Sequence, residues 1–221
     1  MDPLGAYPAD RAAALSGVPR STIHWWAREG ILVPSVSATK RRLWSFADLM
    51  GLRTIYWLRR GKTTESGVDI PATSMGAVRA ALASLADLDI PLWHGDRPTV
   101  LVNGNGHVYL ETPGGMQTVQ GQIASGELLD LIAPFSSNEG TRGPDLHHPR
   151  AQLRIVPGKL SGSPHIVGTR VETRAIAALI NDGCNAAQVG ELYPYLSADQ
   201  IEEALDLERQ LAQNLSVPTA A

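Results

Sequence analysis

A single cysteine, Cys184, stands in the 221 residues. No internal disulfide can brace the fold, and a reducing compartment suits the chain. Cys184 itself reads as a small residue near a helix end. No apolar run approaches the length needed to cross a bilayer. The opening Met1-Asp-Pro-Leu-Gly has no basic patch followed by an apolar stretch, so no signal peptide is expected and a cytoplasmic location is. The histidines (24, 94, 107, 147, 148 and 165) fall at no metal-ligand spacing, and His147-His148 is a pair within a loop. No Ser/His/Asp or Cys/His arrangement announces a nucleophile. Asn103-Gly-Asn-Gly106 joins two expected strands and lacks a Lys-Ser/Thr or a following helix, so it is a hairpin turn and not a phosphate loop. No catalytic residue, metal or cofactor is expected, and the chain reads as a non-enzyme.

What is present is ordinary in bulk and uneven in distribution. A hydrophobic content of 43% and a charged content of 19% fit one large or two small globular domains. The net charge of −3 hides a polarity. Residues 1–62 carry ten Lys/Arg against four Asp/Glu, a net of +6, and residues 63–221 carry nine against eighteen, a net of −9. Within 175–215 Arg209 faces seven carboxylates, a net of −6. A basic head suits nucleic acid and an acidic tail is repelled by it, so the two ends are expected to meet different partners.

The head has the order of a small DNA-binding unit. A helix is expected over 8–16, then a tight turn at Gly17, then a second helix opened by Pro19 and closed by Gly30. Ile23 and Trp26 face inward against Leu15 and Val18, which leaves Arg20, Ser21, Thr22, His24, Trp25 and Arg28 for base and phosphate contact. Residues 31–36 and 41–44 can pair as the strands of a wing that carries Lys40, Arg41 and Arg42 at or beside its tip, placed for phosphates. Ser45 with Asp48 caps a third helix that keeps Phe46, Leu49, Leu52, Ile55 and Leu58 on one side. From that helix Arg53, Arg59 and Arg60 are within reach of the DNA backbone, although the last two serve equally to compensate a helix terminus. The string from Ala14 to Leu32, continued through Arg42-Leu43-Trp44-Ser45, resembles the winged helix-turn-helix of the MerR family. The resemblance implies that the second helix enters a major groove of duplex DNA, and it makes Arg42 the stronger of the two wing arginines.

Beyond the head, a helix is expected over 74–87, strands over 99–102, 107–111 and 116–122, and a short helix over 127–132. The polar, Gly/Pro-containing stretch 136–150 is the best linker candidate. Short strands at 153–156 and 165–171 precede three helices, at 173–182, 186–192 and 197–214. The last helix has Ile201, Leu205, Leu207 or Glu208, and Leu211 in one stripe, with Asp199, Glu202, Glu203 and Asp206 opposite. Arg170 is expected to tie the preceding hairpin to the acidic helix at Glu202 and Glu203, and Gly168 to take a backbone conformation cheap only for glycine. Leu160-Ser-Gly-Ser-Pro-His-Ile-Val-Gly-Thr-Arg170-Val, followed by Asp182-Gly183, Leu192-Tyr193-Pro194 and Leu196-Ser197-Ala198-Asp199-Gln200-Ile201, resembles domain-of-unknown-function family 433. That resemblance implies a small helix-turn-helix-like domain of the kind found in antitoxins encoded beside PIN-type ribonuclease toxins. Head and tail together are similar to an atypical VapB-type antitoxin.

The expectation is therefore an α+β protein: a winged helix-turn-helix over 1–62, a helix-plus-hairpin section over 72–135, a linker over 136–150 and an acidic helical domain over 151–215. Its partners would be duplex DNA at its own operator and a PIN-type ribonuclease toxin. The toxin would be met either by Glu202, Glu203 and Asp206 in the nuclease's basic groove, or by Arg170, Arg174 or Arg209 at its metal-binding carboxylates. One winged unit spans too few base pairs for useful specificity, so a homodimer joined through 72–135 is expected. The rival reading is a MerR-like transcriptional regulator that responds to a small molecule.

Overall fold

Helix α1 (Ala9–Ser16) follows from an alanine-rich run with Asp10 in its first turn, and it ends where Gly17 takes a left-handed φ of 74°. The computed structural model describes residues 4–59, 61–63, 69–72, 74–76, 79–80, 83, 93–94, 97–98, 100–103, 108–112, 115–118, 128–130, 134–137 and 140–216. Helix α2 (Arg20–Arg28) starts after Pro19, which supplies a helix-ready φ and no surplus N–H. Helix α3 (Phe46–Arg59) is capped reciprocally: the Ser45 N–H donates to Asp48 Oδ2 at 2.8 Å and the Asp48 N–H to Ser45 Oγ at 3.1 Å.

The wing differs from the expected hairpin. Strand β2 (Leu43–Trp44) pairs with β1 (Tyr7–Pro8), ahead of the first helix, with Tyr7 opposite Trp44. Residues 31–36 form no strand, and the two arms of the wing touch through one bridge, Ser37 to Leu43. Pro34 cannot donate to a ladder. Ser35 turns its N–H and its hydroxyl to Asp48 Oδ2, both at 2.8 Å, which diverts that arm from pairing.

The centre holds two antiparallel sheets. One is formed by β3 (Lys62–Thr63), β4 (Asp69–Ile70), β11 (Phe135–Ser137) and β12 (Arg142–Gly143) in the order β12-β11-β3-β4. Strands β5 (Trp93–His94) and β6 (Arg97–Pro98) make a separate pair. The other larger sheet has β7 (Val100–Asn103), β8 (Val108–Thr112), β9 (Gly115–Thr118) and β10 (Leu128–Asp130) in the order β10-β7-β8-β9. The expected three strands are here, with the hairpin turn itself outside the described residues. The expected short helix over 127–132 is strand β10 instead, because Leu128, Leu129 and Asp130 complete the open edge of β7; tertiary pairing overrides local preference. The stretch 136–150 also departs from a bare linker: it contributes to β11 and β12 and buries Thr141, Gly143, Pro144 and Leu146. Most of the helix expected over 74–87 lies outside the described residues.

In the tail, β13 (Leu153–Arg154) pairs with β14 (His165–Ile166), and α4 (Thr173–Asn181), α5 (Ala186–Leu192) and α6 (Ala198–Ser216) follow. Capping boxes open the last two: Asn185 with Gln188, and Ser197 with Gln200. No described helix is long and apolar enough to cross a membrane.

Head and tail share one core. Ala12, Ala13, Ala14 and Leu15 of α1 join Leu153, Ile155, Ile176, Ala204, Leu207 and Leu211 in a single buried cluster. Arg11 grips Glu208 with two charge-assisted hydrogen bonds of 2.7 and 2.6 Å, and the Thr173 hydroxyl donates to the same carboxylate. Asn214 donates to the Ala14 and Arg142 carbonyls at 2.9 and 2.8 Å. The Tyr7 hydroxyl donates to the Gly162 carbonyl at 2.8 Å, and the Ala6 N–H to that of Ser161 at 2.9 Å. Leu160, Ser161 and Gly162 all have positive φ, and a Cβ on Gly162 would stand 2.0 Å from the Tyr7 hydroxyl. Only glycine fits that position. The left-handed turn itself is strained by on the order of 1–3 kcal/mol per non-glycine residue; the bonds to the head offset it.

A tail substitution should therefore unfold the head. Leu207→Ala, at a fully buried site, is expected to cost about 2–5 kcal/mol. Trp26 and Trp44 lie in the head, so tryptophan fluorescence in urea should show that loss in the same transition as far-UV circular dichroism. A fluorescence transition left unmoved by Leu207→Ala would mean that the two ends unfold independently.

Candidate nucleic-acid interface

Ile23 and Trp26 of α2 are buried, at 0% and 3% exposure, against Leu15 and Val18. The opposite side of the helix is thereby turned outward. Arg20, His24 and Arg28 follow one another at intervals of four and make one stripe. Arg20 and Arg28 are exposed, as are Ser21 and Trp25, while Thr22 and His24 are half-buried. Trp25 is 44% exposed beside a buried Trp26; an exposed indole can pack on a sugar and donate to a phosphate. Arg20 pairs with Asp10 of α1 at 2.9 Å, but both side chains are more than half exposed, so the pair is weak and readily exchanged for phosphate.

The three wing cations separate into two kinds. Lys40 and Arg41 are exposed at the tip. Arg42 is half-buried at the root, where its Nη1 donates to His24 Nδ1 at 3.2 Å and to the His24 carbonyl at 3.4 Å. The His24 ring meets Trp44 edge-on, with centroids 6.0 Å apart. Partial burial first, then the cations Arg42, Arg20 and Arg28, push the His24 imidazolium below its ordinary range, with Asp10 opposing weakly. The neutral ring keeps a lone pair on Nδ1 for Arg42 and the proton on Nε2.

Arg53 does not belong to this face. It is fully buried and donates from Nη1 to the Pro144 carbonyl at 2.5 Å, so its expected reach to the DNA backbone is replaced by a tie between α3 and the segment after β12. Arg59 is exposed, and Arg60 lies outside the described residues. The sequence reading missed Asp48 as the residue that fastens the wing to α3, and Tyr7 with Trp44 as its brace. The Ser45–Asp48 spacing identified only the cap.

The tail residues singled out from the sequence do not converge. Glu203 accepts the Gln152 N–H at 2.6 Å, Asp206 pairs with Arg150 at 2.7 Å, and Arg174 pairs with Glu172 at 2.5 Å. Arg150 and Gln152 thus tie the hairpin to α6, the task expected of Arg170. Arg170, Glu202 and Arg209 face solvent, the last donating only to its own helix at Leu205. Gly168 has the expected positive φ, 74°. Nearby, Leu192 and Tyr195 are 58% and 64% exposed, and Tyr195 stands edge-on to Tyr193. Cys184 is a free, half-buried thiol. No group of three His, Cys, Asp or Glu side chains able to hold a metal occurs among the described residues.

Residues 7–68 match the family described as "MerR HTH family regulatory protein", and residues 154–207 match "Protein of unknown function (DUF433)". The N-terminal match defines a helix-turn-helix module of the DNA-binding kind. In particular, the chain carries a MerR-family helix-turn-helix at its N-terminus and a DUF433 domain at its C-terminus. A similar solved structure, "X-ray crystal structure of Rv2018 from Mycobacterium tuberculosis", aligns over 93% of this chain and 98% of that one, at 15% identity and a TM-score of 0.47. No curated protein matches the chain.

Acid should weaken the fold. The His165 pKa, like that of His24, lies below the ordinary value of 6.5, through burial that outweighs a hydrogen bond to the Ser163 carbonyl. On acidification the unfolded chain takes up these protons first, so their contribution is complete above about pH 6.5 and is lost as pH falls through the lowered values. The thermal midpoint should drop between pH 7.5 and 5.5, and drop less in a His24→Asn/His165→Asn double variant. A midpoint that rises on acidification in the parent chain would contradict the direction of both shifts.

Proposed function

We propose that the protein is a DNA-binding antitoxin, without enzymatic activity, that neutralises a partner PIN-type ribonuclease and represses the operon encoding both. The observation that carries this reading is the placement of two oppositely charged surfaces on one core. The α2–wing face is basic. Residues 175–208, across α4, α5 and most of α6, contain no Lys or Arg and seven carboxylates. Five of these, Asp182, Glu191, Asp199, Glu202 and Asp206, are exposed, the last paired with Arg150. A ribonuclease attracts RNA through a basic groove, and a carboxylate-rimmed surface with Leu192 and Tyr195 as apolar anchors complements such a groove. The same surface would repel DNA. Glu203, Asp206 and Arg174, already engaged within the fold, serve the tail's own structure, which leaves Glu202, or Arg170 and Arg209, for direct contact with the toxin. The protein acts in the cytoplasm as a homodimer joined through 72–135, and light scattering that finds a strict monomer at micromolar concentration counts against that interface.

Small-molecule sensing finds less support among the described residues. The cavity lined by Arg142, Asp145, Arg150 and Gln210 has a volume of 240 Å³, below the roughly 300–1,000 Å³ of ordinary ligand sites.

The test is co-expression of the full chain with the ribonuclease encoded by the adjoining reading frame. Growth should be rescued. Leu192→Asp and Tyr195→Asp, both at exposed sites and therefore compatible with folding, should abolish rescue while leaving DNA affinity within about twofold. Glu202→Lys should also abolish rescue if carboxylates fill the groove, whereas Arg170→Ala with Arg209→Ala should do so if cations meet the nuclease's acids. A wild-type chain that neither binds nor inhibits this nuclease would remove the antitoxin reading and leave the DNA-binding one intact.

A further inference from the structure

A wing contributes to recognition only if its tip is held at one angle to the helix in the groove. Three ties fix this wing at its root. Strand β2 is paired with β1, Ser37 and Leu43 exchange backbone hydrogen bonds of 3.1 and 2.9 Å, and Ser35 is held by Asp48. The first leads to α1 and the third to α3, the second closes the wing on itself, and none reaches α2. The first arm leaves α2 with the Ile31 and Leu32 N–H groups on the Trp26 carbonyl; the second arm is linked to α2 by Arg42, through the two acceptors of His24, while Trp44 on the same strand meets the His24 ring edge-on. The residues on either side of Leu43 therefore both hold one histidine of the recognition helix.

We propose that Arg42 and His24 form a latch, a pair of positioning residues that sets the wing against α2 and leaves phosphate contact to Lys40 and Arg41. The proposal rests on the reading of the α2–wing face as the DNA interface. It reassigns Arg42, which the spacing and the MerR resemblance both place on phosphate. The difference in setting supports the reassignment: Arg42 is half-buried with Nη1 committed twice, whereas Lys40 and Arg41 are exposed at the tip. A planar guanidinium suits this task because it reaches a ring nitrogen and a carbonyl in one fixed geometry, which an ammonium does not reproduce.

The latch also requires a particular state of His24. Nδ1 must be unprotonated to accept from Arg42. The charged groups facing the ring are Arg42 from the wing, Arg20 and Arg28 from α2 itself, and Asp10 from α1. Three cations against one carboxylate favour the neutral ring, and protonation would set an N–H against the guanidinium and open the latch.

The experiment uses the full chain and a duplex that it selects from a random-sequence pool, with affinity measured by fluorescence anisotropy across a salt series. Arg41→Ala should lower the slope of log affinity against log salt by about 0.9, as a lost phosphate contact does. Arg42→Lys, which keeps the charge, should weaken binding about tenfold with the slope unchanged, and His24→Leu should match it. His24→Asn, whose amide oxygen can stand in for Nδ1, should recover part of the affinity that His24→Leu loses. In the His24→Leu background Arg42→Lys should cost nothing further. Retained affinity in Arg42→Lys, together with a slope loss of about one in Arg42→Ala, would make Arg42 a phosphate ligand and overturn the latch. A second arm needs no DNA. Nitrogen-15 spectra of the free protein should show His24 protonated on Nε2, with a pKa that rises in Arg42→Gln; an Nδ1–H tautomer, or a pKa unmoved by the substitution, also overturns it. A full chain that selects no duplex would defeat the DNA reading, and the spectra would still decide the latch.

Discussion

The packing of α1 against α6 is the constraint on which the rest of the molecule depends. Three successive alanines, Ala12, Ala13 and Ala14, leave α1 with little side-chain bulk of its own, so it cannot close a core without a partner that comes near. Helix α6 does so: Leu207 and Leu211 fill the space, and Arg11 with Glu208 marks the register. Both charges are largely withdrawn from water, with 17% and 14% of their side-chain surface exposed. Removing one partner would strand the other in a low-dielectric setting, at a cost of about 3 kcal/mol or more. The pair therefore favours this one alignment of the two helices over slipped alternatives. The turn at 160–162 works alongside it, since its left-handed carbonyls are met by Ala6 and Tyr7, directly before α1.

That packing changes what a two-ended charge distribution means. Separate domains on a flexible linker would present a basic and an acidic surface at random relative orientations. Here α1 touches the recognition helix on one side and the acidic helix on the other, so anything that binds the tail is held at a defined position relative to DNA. The residues of the α2–wing face also owe their geometry to this body. Tyr7 bonds to the tail through its hydroxyl while its backbone pairs with Trp44, and Trp44 in turn supports His24.

Much of this was legible in the chain itself. Local patterns of capping and turn residues located α1 to α3 and the tail helices, because those rules act within a few residues. The apolar spacing identified Ile23 and Trp26 as core and, by exclusion, the outward face of α2. The resemblance to the MerR family and to family 433 agrees with the families matched by residues 7–68 and 154–207. The departures share a physical cause. Local pattern predicts a helix where β10 forms, because the edge that β10 completes belongs to β7, some twenty-five residues earlier. The sequence points Arg53 toward DNA because a helix arginine is ordinarily solvated, and nothing local announces that it meets the Pro144 carbonyl.

Sequence alone determined the helices of the head and of the tail, which face of α2 is apolar, and that the head is basic and the tail acidic, since propensity, periodicity and charge are properties of short stretches. Tertiary structure alone decided which charged side chains remain available. Arg41 and Arg42 are neighbours of the same type, yet one faces solvent and the other is bound to His24. Glu202 and Glu203 are likewise adjacent and alike, yet one is exposed and the other holds the Gln152 N–H. A side chain's availability depends on what the fold brings opposite it from a distant part of the chain, and composition and spacing carry no record of that.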